Sequence, residues 1–200
     1  MSMYLDYFGL KEVPFSLTPT TDFFCKLPGH QEALNMVLFA LKAGDGLIKI
    51  TGEVGIGKTL LCKALITSIQ EELTEFDVHY IANPDLTTQG LRQALAVEFD
   101  VADKSACAQH ELLQQVDDQL KIMREEKRKI ILILDEAQVL SHESLETIRL
   151  LSNVESQTEK TLYIVLFAQP ELDERLRESK LRQLMQRITF SYLIPRINEH

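Results

Sequence analysis

Residues 52–59 read Gly-Glu-Val-Gly-Ile-Gly-Lys-Thr, and this octapeptide limits what the chain can fold into more than any other stretch. It fits the phosphate-loop pattern G-x-x-x-x-G-K-[ST], in which a glycine-rich turn aims backbone N–H groups at phosphates. Gly52, Gly55 and Gly57 are expected to supply positive φ and a close backbone approach. Lys58 would neutralise the β- and γ-phosphates, and the Thr59 hydroxyl would sit on Mg2+. Glu53, Val54 and Ile56 fill the variable positions and Leu60 follows, so residues 52–60 form the expected nucleotide-binding stretch. The flanks agree with this reading. Leu47-Ile48-Lys49-Ile50 is a short apolar run of strand type, and Leu60 to Ile69 is apolar at helical spacing (Leu61, Ala64, Leu65, Ile69) without Pro or Gly. Strand, loop and helix in that order point the helix dipole at the anion.

A second landmark is Ile130-Ile131-Leu132-Ile133-Leu134-Asp135-Glu136. An unbroken apolar run reads as a strand buried on both faces, as in a parallel sheet. An acidic pair at its carboxyl end lies where open α/β sheets place ligand chemistry. Asp135 suits a carboxylate on the Mg2+ side, holding the ion mostly through water. Glu136 suits a general base that orients and deprotonates an attacking water. Leu162 to Ala168 reads as another buried strand, with Gln169 at its end placed to meet a γ-phosphate or the lytic water. Phe76–Ala82 and Ile188–Ile194 read as further strands. Helices are expected from Pro28 to Gly44, over Thr87–Phe99 and His110–Lys127, and over Leu145–Val154 with Arg149 pointing outward. Short helices follow around Leu172, Leu176 and Leu181. The alternation implies a parallel sheet with helices on both faces.

The amino-terminal 26 residues carry Tyr4, Tyr7, Phe8, Phe15, Phe23 and Phe24 without a clean period, broken by Pro14 and Pro19. They read as an arm over the core, residues 1–28, with the core itself spanning 29–200 as a single domain. Val13-Pro14-Phe15 is either simple packing or a wall of the adenine pocket. His30 is either a surface residue at a helix start or a contact to the base. The net charge of −9 argues against nucleic acid or membrane as a partner of the whole molecule, while leaving a local basic patch open. Arg124–Lys129, six charges in a row, reads as a solvated helix end. Three cysteines without a CxxC indicate neither a disulfide framework nor a zinc site, and fit a reducing cytoplasm.

Taken together, several stretches resemble one group of AAA+ ATPases, the general secretion pathway protein A family. They are Tyr-x-x-Tyr-Phe-Gly-Leu-Lys-Glu-x-Pro-Phe-Ser from Tyr4, Thr-Gly-Glu-Val-Gly-x-Gly-Lys-Thr from Thr51, and Leu-Asp-Glu-Ala-Gln from Leu134. Leu-Glu-x-Ile-Arg-Leu-Leu-Ser-Asn from Leu145, Phe-Ala-Gln-Pro-Glu-Leu from Phe167 and Leu-x-Gln-Arg-Ile from Leu184 complete the set. The resemblance implies a P-loop NTPase three-layer sandwich with a five-stranded parallel sheet in the order 5-1-4-3-2. It implies Mg2+-dependent ATP hydrolysis, with ADP as product, by a nucleotide-dependent homo-oligomeric ring. The ring would serve assembly of a secretion or type IV (MSHA-type) pilus machine from the cytoplasmic side of the inner membrane, with an inner-membrane assembly protein as partner. Gly52–Thr59 would be the Walker A loop, Asp135-Glu136 the Walker B pair and Gln169 the sensor-1 residue. Arg187 would be the arginine finger offered to a neighbouring subunit, with Arg182 as second choice. Relatives continue into a helical lid with a sensor-2 arginine, whereas this chain stops at His200, so the core is expected to lack that lid.

Three other functions fit parts of the pattern. A P-loop kinase would need a closing lid rich in arginine between Gln169 and Arg187, and none is obvious. A nucleic-acid-dependent AAA+ ATPase of the transposition-regulator kind would share the same core. A nucleotide-gated scaffold would bind ATP and barely hydrolyse it.

Overall fold

The computed structural model describes residues 5, 7–9, 27–82, 87–101, 109–153 and 160–196. The first long helix, α1 (Pro28–Ala43), begins on a proline whose missing N–H would have had no partner in the first turn anyway. It stops at Gly44, whose φ of 90° is a left-handed cap that glycine adopts without a Cβ penalty. β1 (Leu47–Thr51) then leads through the glycine loop into α2 (Lys58–Glu72). β2 (Phe76–Ile81) precedes α3 (Thr88–Glu98), which the Thr87 hydroxyl caps by accepting the Gly90 N–H at 3.1 Å. α4 (Gln109–Glu125) returns the chain to β3 (Lys129–Leu134). A single 3-10 turn, Ala137–Val139, leads to α5 (His142–Leu151). β4 (Leu162–Ala168) is followed by the short helices α6 (Glu171–Leu176) and α7 (Arg182–Arg187), and then by β5 (Phe190–Leu193).

The five strands pair in parallel in the order β2-β3-β4-β1-β5, which is the expected 5-1-4-3-2 read from the other edge. The period of two decides which side each residue serves. Ile130, Leu132 and Leu134 of β3, with Leu162, Ile164, Leu166 and Ala168 of β4, belong to the core shared with α3 through α7. Ile131 and Ile133, with Tyr163, Val165 and Phe167, belong to the core beneath α1 and α2. β4 is buried along its whole length because helices cover both of its faces. Each such aliphatic side chain contributes about 1.5–3 kcal/mol on burial, so the central strands anchor the loops at their ends.

A charged residue on β1 also lies within this interior. Lys49 lies between Ile48 and Ile50 in β1 and is 8% exposed. The alternation turns it toward α6, where its ammonium meets the Asp173 carboxylate. The pair fixes α6 to the strand that feeds the glycine loop. Past β5, the Ile194 N–H donates to the Thr51 carbonyl at 2.8 Å, so the chain leaves the sheet against that same loop.

The sequence expectations shift in three places. α5 starts at His142, three residues before Leu145, because the Ser141 hydroxyl caps it by accepting the Ser144 N–H at 3.0 Å. β5 pairs over four residues, fewer than Ile188–Ile194. Arg149 does not point freely outward: its guanidinium forks onto Glu146 one turn back at 2.6–2.9 Å, leaving the side chain 16% exposed. The arm's role, including Val13-Pro14-Phe15, and the turn at Asn83-Pro84-Asp85 lie outside the described residues. Among those described, no helix is long and apolar enough to cross a membrane.

Candidate functional site

The carboxyl ends of β1, β3 and β4 lie side by side, and Lys58, Thr59, Asp135, Glu136 and Gln169 converge there. Gly55 and Gly57 have φ of 79° and 91°, a region that costs an L side chain about 1–2 kcal/mol. Gly52 departs from the expectation, since its φ is not positive. Its constraint is space: a Cβ there would stand 2.9 Å from Ile56 Cγ2 and 3.3 Å from Ile194 Cβ. The loop encloses Lys58, which is 5% exposed and donates to the carbonyls of Gly52 at 2.9 Å and Glu53 at 3.1 Å. Its ammonium is therefore held at the mouth of the turn. Val54 forms the exposed tip, Ile56 packs inward and Leu60 is half-buried on α2. Glu53 bonds Arg196 beyond β5 at 2.7 Å.

His30 is not a surface residue at the helix start. It is 5% exposed, and its Nε2 lies 2.6 Å from the Ile56 carbonyl, so it braces the back of the glycine loop from α1. A Cβ at Gly57 would only touch that ring, at 3.5 Å from His30 Nε2, so it is the left-handed backbone and not space that calls for glycine there.

Asp135 follows Leu134 in alternation and so points to the α2 side of the sheet. It is 1% exposed. The Thr59 hydroxyl donates to its Oδ2 at 2.8 Å, and the Glu136 N–H donates to its Oδ1 at 2.9 Å. Burial pushes the Asp135 carboxyl above its ordinary range, and those two hydrogen bonds draw it part of the way back. Behind it, the Tyr80 hydroxyl lies 3.5 Å from Oδ2 and neighbours the Cys62 thiol. Burial first, and then the nearby Asp135 charge, push that thiol upward, so it stays protonated and unreactive. Thr59 and Asp135 thus bring two hard oxygen donors together beside the loop, the ligand type that Mg2+ prefers. Among the described residues no three His, Cys, Asp or Glu side chains cluster as a cage.

Glu136 breaks the strand's alternation. Its φ of 53° and ψ of 36° are left-handed, a conformation that non-glycine residues keep only where their surroundings enforce it. The kink turns its carboxylate toward β4. There Gln169 Nε2 donates to Oε2 at 3.2 Å, and Gln138 Nε2 donates to the same oxygen. Gln138 was not foreseen, although it stands in the Asp-Glu-Ala-Gln stretch that carried the resemblance. Arg175 was missed entirely. It donates to the carbonyls of Gln138 at 2.5 Å and Leu140 at 2.6 Å.

Arg182 and Arg187 stand apart from this cluster on the exposed face of α7. No hydrogen bond or ion pair to another described residue holds either one.

Residues 41–176 match the AAA domain family. The chain is 39% identical over 194 residues to general secretion pathway protein A of Aeromonas hydrophila, which takes in 96% of this chain and 35% of that protein. This chain therefore spans about a third of that relative's length. Among solved structures, Aeropyrum pernix ORC2 in its ADPNP–ADP complexes superposes with a TM-score of 0.67 at 18% identity, covering 92% of this chain and 50% of that one. Aeropyrum pernix ORC1 in complex with DNA gives 0.67 at 14%, covering 86% and 46%. At those identities the two structures show a shared fold. The match over more than half of its length makes this chain a member of the AAA domain family, related to general secretion pathway protein A.

Proposed function

We propose that this chain is an Mg2+-dependent ATPase that works as an oligomer and drives or gates assembly of a secretion or type IV (MSHA-type) pilus machine. The observation that carries the reading is the junction of three strand ends. Lys58 lies inside the glycine loop, Thr59 touches Asp135 at 2.8 Å, and Glu136 is turned the other way under two amides. In this reading Lys58 and the loop N–H groups grip the β- and γ-phosphates. Thr59 and Asp135 would hold Mg2+, which supplies charge neutralisation on the phosphates when bound. Glu136 orients a water and takes its proton, and Gln169 steadies that water or the γ-phosphate. Residues 52–60 are the nucleotide-binding set.

Arg187 fits a finger that reaches a neighbour's nucleotide, because it is exposed and held by no partner among the described residues; Arg182 is the second choice. The likeness to general secretion pathway protein A supports a place on the cytoplasmic side of the inner membrane, with an inner-membrane assembly protein as partner.

The test is phosphate release from ATP with no second substrate, measured across a protein concentration series. Turnover per chain is expected to rise with concentration, and Lys58→Ala to abolish it. Release only when an acceptor is added would replace the ATPase with a kinase. A rate per chain that stays flat with concentration would remove the trans finger.

A nucleic-acid-dependent form of the same reaction has one observation in its favour. Near the amino ends of β3 and β4 a cleft of about 370 Å³ is lined by Arg124, Lys127, Arg128, Lys129 and Lys160. Arg128 is already paired with Asp77 at 2.6 Å, and Glu75 lies 3.8 Å from Lys129, so much of that charge is balanced. DNA that stimulates turnover with a steep salt dependence would favour this form.

A further inference from the structure

We infer that Gln138 is the positioning residue for Glu136, and that it works as a fixed support and not as a latch that lets go. The inference rests on the reading of Glu136 as the base. Its starting point is the left-handed backbone at Glu136, which by itself fixes only where the side chain begins. Three side-chain torsions must be set before a carboxylate oxygen can address a water, and packing does not set them, because Glu136 is only partly buried. Hydrogen bonds do. The amides of Gln138 and Gln169 both converge on Oε2, and among the described residues none donates to Oε1. The carboxylate is thereby clamped through one oxygen, which leaves the other to accept a proton.

Gln138 is itself held from both ends. Its amide oxygen accepts the Gln169 N–H at 3.0 Å, which spans the gap between the ends of β3 and β4. Its backbone carbonyl accepts the Arg175 guanidinium, which also binds the Leu140 carbonyl two residues on. Arg175 lies on α6, the helix that Asp173 ties to Lys49 in β1. A side chain pinned at its amide nitrogen, its amide oxygen and its own carbonyl is poorly suited to swing. Gln138 thus joins the base, the residue after β4 and α6 in one rigid unit. The amide of Gln169 alone, at 3.2 Å, would leave Glu136 free to pivot about a single contact.

The test compares Gln138→Met, which keeps length and removes both amide atoms, with Gln138→Glu, which keeps shape and removes the donor. Each is made in the natural chain and in a Glu136→Gln background. Both are expected to lower kcat by about 10–100-fold, the size of effect seen when a reacting group is misplaced by an ångström. KM for ATP and the affinity for ADP should stay within about twofold, because binding is not what the residue supports. In the Glu136→Gln background neither should cost anything further, since a residue that acts through the base has nothing left to act on. If Glu136→Gln lowers kcat while Gln138→Met leaves it unchanged or raises it, the support is refuted and the base stands. Losses that persist undiminished in the Glu136→Gln background also refute it, marking a general structural role. Should Glu136→Gln itself leave kcat intact, the base falls and the inference with it.

Discussion

Asp135 and Glu136 are neighbours with the same chemistry, yet they belong to two regions built on opposite principles. On the α2 side, Asp135 continues the strand's alternation and is sealed at 1% exposure among Thr59, Tyr80 and Cys62. It bonds a hydroxyl and a backbone N–H, and burial makes its charge costly. On the β4 side, Glu136 leaves the strand through a left-handed kink, stays partly open to solvent and takes its donors from side-chain amides. The first region suits a carboxylate kept short of counter-charge, poised to gain from a cation. The second suits one that must present an oxygen repeatedly without losing its aim. A two-residue acidic motif at a strand end therefore contains two different devices, separated by the direction of one peptide unit.

The largest expected effect sharpens that contrast. Glu136→Gln should lower kcat by at least about 10²-fold while leaving nucleotide affinity near its original value, as removal of a general base does. Asp135→Asn should raise the Mg2+ concentration needed for half-maximal turnover by about 10–100-fold, in line with the loss of a contact to a charged group. Titrating Mg2+ against both variants checks this. If the two give the same profile, the division into a metal side and a proton side breaks.

The local pattern revealed the frame of both regions but not their inner walls. The strand at Ile130–Leu134, the loop at Gly52–Thr59 and the polar end at Gln169 announce themselves because each is a contiguous run with its own period or glycine pattern. The sheet order and the sensor role came from the family resemblance. What stayed hidden depends on which strands become neighbours. Tyr80 meets Asp135 across 55 residues and Lys49 meets Asp173 across 124. Arg175 finds backbone carbonyls, which leave no trace in the side-chain sequence. The sequence leaves His30 open between a surface residue and a contact to the base, because its partner is likewise a backbone oxygen, that of Ile56. Arg149 is a different failure, since its Glu146 partner sits at the three-residue spacing where helix pairs form.

A smaller effect probes the cost of the buried charge on the Asp135 side. Burial raises the folded-state pKa of this carboxyl above its ordinary value of 3.8. The neutral form is thus the one the fold prefers. Its stabilising contribution is complete below the ordinary value and is lost as pH rises through the raised one. Asn at this position does not titrate. Asp135→Asn should therefore raise the Tm of the nucleotide-free protein at neutral pH by a few degrees, about 2–4 °C for each kcal/mol in a chain of this size. The gap should open as pH climbs out of the acidic range and then stay level. A gap that narrows over that range, followed by thermal melts at successive pH values, would show that hydrogen bonds from Thr59 and Glu136 outweigh burial.

The smallest effect tests whether the wall behind Asp135 is polar by necessity. The Tyr80 hydroxyl stands 3.5 Å from Asp135 Oδ2, the outer edge of hydrogen-bond range, whereas the Thr59 hydroxyl is at 2.8 Å. Tyr80→Phe should accordingly cost at most about 0.5 kcal/mol in denaturant unfolding and leave turnover within about twofold. Thr59→Val, which removes the closer donor and adds no void, should cost more on both counts. Equal losses from the two would mean that Tyr80 and Cys62 hold Asp135 as firmly as Thr59 does, and that this side relies on a hydrogen-bonded network just as the Glu136 side does. The Asp135 carboxylate would then be less starved of partners than its burial implies, and the preference for a cation would have to come from the loop rather than from the strand end.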